Sequence, residues 1–186
     1  MLLSPSKKQV REQKPLECVP LVMEPISALY KSPLVVLDFQ ALYPSIIIAY
    51  NYCYSTVIGR VRELGFQNEV GTTKINVAEN FSSLLEDNVT VSPNGVLFVK
   101  KKVRESILAK MLKEILDTRV MVKSTMNDIN GLDEDLSKLL NNRQLALKLL
   151  ANVTYGYTSA SFSGRMPCSD VADSIVQTGR ETLEKA

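Results

Sequence analysis

Asp38 stands at the exit of the short apolar run Leu34–Val35–Val36–Leu37. A rigid strand there would hold a carboxylate steady enough to ligate a hard cation, although a plain turn-starting Asp fits the same position. Pro44 follows and suits the first position of a short helix predicted through Tyr50, because its missing N–H costs nothing there. The start of that helix would aim free N–H groups and a positive dipole end at an anion. Tyr43 in this turn either walls a pocket with its ring or is an ordinary core tyrosine.

Two further groups carry charge in unexpected places. Leu108, Leu112, Ile115, Val122, Met126 and Ile129 recur at roughly 100° per residue, and Arg119 falls on the same stripe. An Arg in an apolar face needs a carboxylate, a cluster of carbonyls or a phosphate, unless it snorkels past the core to water. Lys123, four residues on, adds to the same cationic patch. Farther along, Asn141, Gln144, Lys148, Asn152 and Tyr155 form a polar stripe on a helix otherwise rich in Leu and Ala. A solvated face would explain it. However, it holds one cation, amides and a tyrosine but no carboxylate, and Gly156 just past it permits close backbone approach. Such a surface suits an anionic ligand that carries hydrogen-bonding groups.

The elements that must position these residues follow from periodicity. Residues 1 to about 33 mix Pro, Lys and Glu without sustained pattern, and 34–37 reads as a buried strand. Residues 60–92 read as a connector or variable insertion, and Pro93–Asn94–Gly95 marks a hairpin turn. Helical spacing from about Val103 to Ile129, the turn NGLDED, and helical spacing again from Leu136 to about Val153 predict an αα-hairpin. The stretch YTSASFSGRMPC is small and polar, and a modest helical pattern over Val171–Glu184 looks cut by the end of the chain rather than capped.

Composition bounds the chemistry. With 186 residues, 45% hydrophobic and 23% charged, the chain can bury a core; a net charge of +2 means that any nucleic-acid binding comes from local placement of charge. No histidine is present, which excludes Ser/His/Asp triads, HExxH sites and histidine zinc sites. Cys18, Cys53 and Cys168 are far apart and read as free thiols of a reducing compartment. No apolar stretch approaches the roughly 20 residues of a membrane span, and MLLSPSKKQ carries no readable export address.

Taken together, these segments resemble family B DNA polymerases. DFQALYPSII at 38–47 is similar to the family's DxxSLYPSII palm motif, and KLLANVTYG at 148–156 to its KxxxNSxYG fingers motif, 110 residues apart and in the family's order. SPSKKQ at 4–9, PLVMEP at 20–25 and SPNGVLFVK at 92–100 resemble it too. Gln40, NVTYG and YTSASFSGRMPC look more like a eukaryotic translesion branch than the replicative members. The resemblance implies an α+β fold: partial palm over 1–102 with the insertion at about 60–92, an antiparallel two-helix fingers arm over 103–153, and a truncated return to the palm over 154–186.

The resemblance also implies roles. Asp38, with the Phe39 carbonyl, would ligate two Mg²⁺ ions, and the N–H groups of Ala41, Leu42 and Tyr43 would cradle a deoxynucleoside triphosphate while the Tyr43 ring excludes a 2′-hydroxyl. Arg119, Lys123, Lys148 and Asn152 would clamp the phosphates, Lys148 would protonate the leaving group, and Tyr155 and Gly156 would face the nascent base pair. Ala41 stands where the family usually has Ser, which removes a hydroxyl contact and keeps the backbone donor. No second carboxylate motif of the DTD type occurs, and Asp170 and Asp173 do not match it. Expected, then, is a piece of a nuclear DNA polymerase acting in replication and repair on primer-template DNA with accessory subunits and no membrane, inactive alone. An iron–sulfur cluster in the intact subunit would lie outside these residues. The rival expectation is a noncatalytic polymerase-like scaffold or DNA-binding subunit.

Overall fold

The computed structural model describes residues 2, 4–63, 68–75, 87–128, 133–160 and 164–186. Five α-helices, one 3₁₀ turn (Val61–Glu63) and five short strands are placed among them: α1 (Lys7–Glu12), α2 (Leu42–Tyr50), β1 (Val57–Arg60), β2 (Asn68–Val70), β3 (Thr73–Ile75), β4 (Val89–Val91), β5 (Val96–Val99), α3 (Ile107–Asp128), α4 (Glu134–Ser159) and α5 (Ser169–Lys185). The fold is mixed helix and strand, with antiparallel sheets of order β1–β5–β4 and β2–β3.

Local chemistry explains most boundaries. Ser6 and Gln9 form a reciprocal capping box on α1. The expected turn at Pro93–Asn94–Gly95 is present: Gly95 takes φ +79° and donates its N–H to the Ser92 carbonyl, which brings β4 against β5 with Thr90 opposite Phe98. Asn51 ends α2 at φ +61° and knits the next segments together. Its Nδ2 donates to the carbonyls of Val99 at 2.7 Å and Arg104 at 2.9 Å, and its Oδ1 accepts the Ser106 N–H at 2.9 Å.

The helix expected from Val171 is the centre of the molecule. From Ser169 to Val176, and again at Thr178 and Gly179, every residue of α5 is buried, against α2, α4 and β5. A helical segment buried all round, as this one is up to Val176, must satisfy its polar side chains internally. Asp170 does so by pairing with Arg60, whose Nε donates at 2.6 Å, and by accepting the Gly71 N–H at 2.6 Å. Asp173 accepts the N–H groups of Glu17 and Cys18, both at 3.0 Å. These two acids clamp separate parts of the chain onto the central helix, a structural task.

Several expectations are corrected. The run Leu34–Leu37 is not a buried strand: it belongs to neither sheet, and Val36 is 86% exposed. A strand exists only with a partner to take its N–H and C=O groups, and the described sheets offer none beside this run. Helix α2 begins two residues earlier than expected, so Pro44 is its third residue, where the N–H still has no intrahelical acceptor. The segment 60–92 contributes β2, β3 and β4, while 64–67 and 76–86 lie outside the described residues. Helix α4 runs through Gly156 to Ser159 instead of ending near Val153, and most of the linking turn, 129–132, lies outside the described residues with Ile129.

Candidate active site

The predicted hairpin is formed by α3 and α4 packed along each other. On α3 the expected stripe is real: Leu112 is buried, and Leu108, Ile115, Arg119, Val122 and Met126 are each partly covered. On α4, Gln144, Ala151 and Thr158 are the buried line, at intervals of seven. Arg119 faces Gln144, while Leu108 and Tyr157 line one groove near the other end, so the two helices run antiparallel.

Arg119 is held by an amide. Its Nε donates to Gln144 Oε1 at 3.3 Å, and Gln144 Nε2 donates to Asn141 Oδ1 at 3.0 Å. Both amides belong to the polar stripe found in the sequence. The guanidinium thus keeps its charge unneutralised by any carboxylate among the described residues, with several N–H donors to spare.

The start of α2 is open in the same way. Ala41 is its N-cap, with φ +52° and ψ +52°, and has no side-chain oxygen to cap the first turn. Pro44 has no N–H, and the Ser45 N–H goes to the Ala41 carbonyl at 2.9 Å, so the uncapped donors of the first turn are those of Leu42 and Tyr43. A non-glycine residue in the left-handed region costs about 1–2 kcal/mol, and such strain concentrates at functional turns.

Tyr43 joins this turn to the hairpin. Its ring packs on Tyr155 with centroids 4.5 Å apart at 34°, and the edge of the same ring lies over Gly179 of α5. Burial pushes both phenols above their ordinary range, and for Tyr155 the neighbouring Tyr43 adds to the effect. Both stay neutral and act as walls.

Of the residues expected to act, the structure therefore brings together Tyr43 with Tyr155, and Arg119 with Gln144. Asp38, Lys123, Lys148 and Asn152 are exposed, and among the described residues none has a hydrogen-bond or ion-pair partner. Phe39 is 41% exposed. A Cβ built on Gly156 would meet nothing within 4 Å, so the close approach expected there has no counterpart among the described residues. The exposed Asp38 carboxylate and the Phe39 carbonyl are the hard oxygen donors that Mg²⁺ prefers, but no group of three acidic or thiol ligands gathers anywhere among the described residues. These donors fit part of a magnesium site and do not complete one. No helix among the described residues is long and apolar enough to cross a membrane. Sequence reasoning passed over Gly179; a glycine inside a helix was the available signal.

Similarity to known proteins covers this whole arrangement. The sequence profile of DNA polymerase family B matches residues 2–186. The chain is 69% identical to the DNA polymerase zeta catalytic subunit of Saccharomyces cerevisiae over its whole length, and 53% identical to that of Homo sapiens over 99% of it. It is 41% identical to the DNA polymerase delta catalytic subunit of Plasmodium falciparum over 88% of the chain. The chain spans 12%, 6% and 13% of those relatives' lengths, respectively. The family B DNA polymerase of Pyrobaculum calidifontis shares the fold, with a TM-score of 0.58 and 23% identity over 89% of this chain and 20% of the archaeal one. A match of this breadth, which spans both the α2 turn and the hairpin, settles the family: the chain belongs to family B of the DNA polymerases.

Proposed function

We propose that this chain forms the incoming-nucleotide side of a DNA polymerase that extends a primer 3′ end on a template, within a larger catalytic subunit of the zeta type acting in translesion synthesis. The observation that carries this reading is the Tyr43–Tyr155 contact, which docks the uncapped start of α2 against the helix that presents Lys148 and Asn152. One end offers backbone donors, and the other offers cations and amides. In this reading 1–102 is partial palm, 103–153 the fingers and 154–186 a return to the palm.

Each residue then has a physical task. The N–H groups of Ala41, Leu42 and Tyr43 bind triphosphate oxygens. Arg119 and Lys123 from α3, with Lys148 and Asn152 from α4, hold the phosphates in line and stabilise charge that grows during transfer. Lys148 gives its proton to the leaving pyrophosphate. Tyr43 excludes a ribose 2′-hydroxyl by bulk, and Tyr155 with the open Gly156 backs the nascent base pair. Asp38 and the Phe39 carbonyl would hold magnesium; the chemistry two such ions supply when bound is activation of the primer hydroxyl and neutralisation of the leaving group. The single carboxylate here means that catalysis belongs to the larger subunit, working in the nucleus with accessory subunits on primer-template DNA.

The test is Lys148→Ala in the full-length subunit. Nucleotide use, as kcat/KM, should fall about 100-fold or more while primer-template affinity changes by less than about threefold. Equal loss of both would overturn the reading.

A further inference from the structure

Gly179 occupies the interior of α5, a helix of 17 residues that is otherwise free of glycine, although glycine is the poorest helix former after proline. The surroundings explain it. A Cβ at this position would stand 3.1 Å from Tyr43 Cε1, 3.4 Å from Ile46 Cδ1 and 3.6 Å from Tyr43 Cδ1. The first distance is tighter than ordinary carbon contact of about 3.5–4.0 Å, so one edge of the Tyr43 ring rests on the bare backbone of the central helix.

From this we infer that Gly179 is a positioning residue for the Tyr43 ring and thereby sets how sharply the enzyme separates deoxyribonucleotides from ribonucleotides. The inference rests on the assignment of Tyr43 to sugar exclusion. A steric filter is only as good as the fixity of the atoms that form it, and here the ring has little slack. Tyr155 packs on it with centroids 4.5 Å apart, and Gly179 lies under its edge on α5, which hydrogen bonds fasten to both sheets and to the N-terminal segment. Nothing polar fixes the ring in place, since no hydrogen bond of the Tyr43 hydroxyl is found among the described residues. Its position is set by contact alone. An added methyl at 179 must push the ring by a few tenths of an ångström. Pressure from below the ring edge on α5 displaces the ring off its seat, and a ring that has left its place no longer fills the space of a 2′-hydroxyl, which lowers the discrimination ratio.

The experiment is single-nucleotide insertion by the full-length subunit, comparing kcat/KM for dCTP with that for CTP opposite a template guanine, in the parent, Gly179→Ala, Tyr43→Ala and the double variant. Gly179→Ala should lower the ratio about threefold or more, and the same change made in the Tyr43→Ala background should leave the ratio within about 1.5-fold, because the ring it acts through is gone. A ratio unchanged by Gly179→Ala, while Tyr43→Ala lowers it, overturns the role of Gly179 and leaves the gate intact. An equal drop in both backgrounds also overturns it. A ratio unchanged by Tyr43→Ala removes the gate itself. Should Gly179→Ala fail to fold, Gly179→Ala with Ile46→Val frees the space at Ile46 Cδ1 and keeps the contact with the ring, and the same two outcomes decide.

Discussion

Arg119 meets Gln144 across the helical hairpin, Nε to Oε1 at 3.3 Å, so a cation set into an apolar stripe rests on a neutral amide. An amide orients a guanidinium without cancelling its charge, and that leaves the field available to an anion. A carboxylate in the same place would do the opposite. Gln144→Glu should raise the stability of the free protein by about 0.5–1 kcal/mol through an ion pair between the buried position 144 and the partly covered Arg119, and should raise the KM for nucleotide severalfold because Arg119 is already engaged. Thermal unfolding and steady-state insertion measure the two. A more stable protein with unchanged KM would take Arg119 out of the phosphate clamp.

Asp170 is bound inside the core to Arg60 and to the Gly71 N–H, with its side chain 4% exposed. Removing one partner of such a pair strands the other. Asp170→Ala should cost about 3 kcal/mol, the low end of the range for buried pairs because the Arg60 side chain is 21% exposed. Denaturant unfolding should show a lower midpoint. A change below about 0.5 kcal/mol would mean that water replaces the carboxylate freely.

Asn51 combines a left-handed backbone with three hydrogen bonds from one amide. The two contributions separate by substitution: Asn51→Gly keeps the backbone conformation and loses the amide, whereas Asn51→Ala loses both. Asn51→Gly should destabilise by about 2 kcal/mol and Asn51→Ala by about 1 kcal/mol more. Equal destabilisation in both would show that the positive φ carries no strain.

Burial pushes the Cys168 thiol from 9.0 up to about 12 and the Tyr52 phenol from 10.0 up to about 12. Both groups bind their proton more tightly when folded, so the folded state holds more protons between the two limits and stability falls as pH rises. Their contribution is complete below pH 9 and is lost progressively from pH 9 to 12. Unfolding midpoints taken at pH 8, 9, 10 and 11 should decline from pH 9 onward. Cys168→Ala should flatten the first part of that decline, between pH 9 and 10, where Tyr52 does not yet contribute. An unchanged slope there would exclude the thiol as its source.

Legibility differed by element for physical reasons. The hairpin helices carry their burial in a regular period, so Leu112 and Arg119 could be placed from spacing, and the turn at Gly95 is written in its own residue types. Both are local signals. The partnering of Leu34–Leu37 is not local: a strand is defined by what lies beside it, and the run alone reads as buried when it is bare. Helix α5 conceals its burial. Its core positions include Ser174, Thr178, Asp170 and Asp173, whose polarity is satisfied inside the fold, so the buried first part of the helix has the composition of a surface one. In the candidate site, Tyr43, Arg119 and Gln144 stood out by residue type and period. The stacking of Tyr43 on Tyr155 and its seat on Gly179 join three helices distant in sequence, and no window of sequence contains them.

The helix against which α2, α4 and β5 pack follows all three of them in sequence. Asp173 holds Glu17 at a sequence separation of 156, and Asp170 holds Arg60 at a separation of 110. On a ribosome, then, the N-terminal segment, the sheets and the hairpin emerge well before the element that unites them. Local pieces such as α3 can form early, but closure waits for Ser169–Lys185. Until then the apolar side chains of α2 and β5 lack the central helix that covers them, and during this interval they need shielding from neighbouring chains.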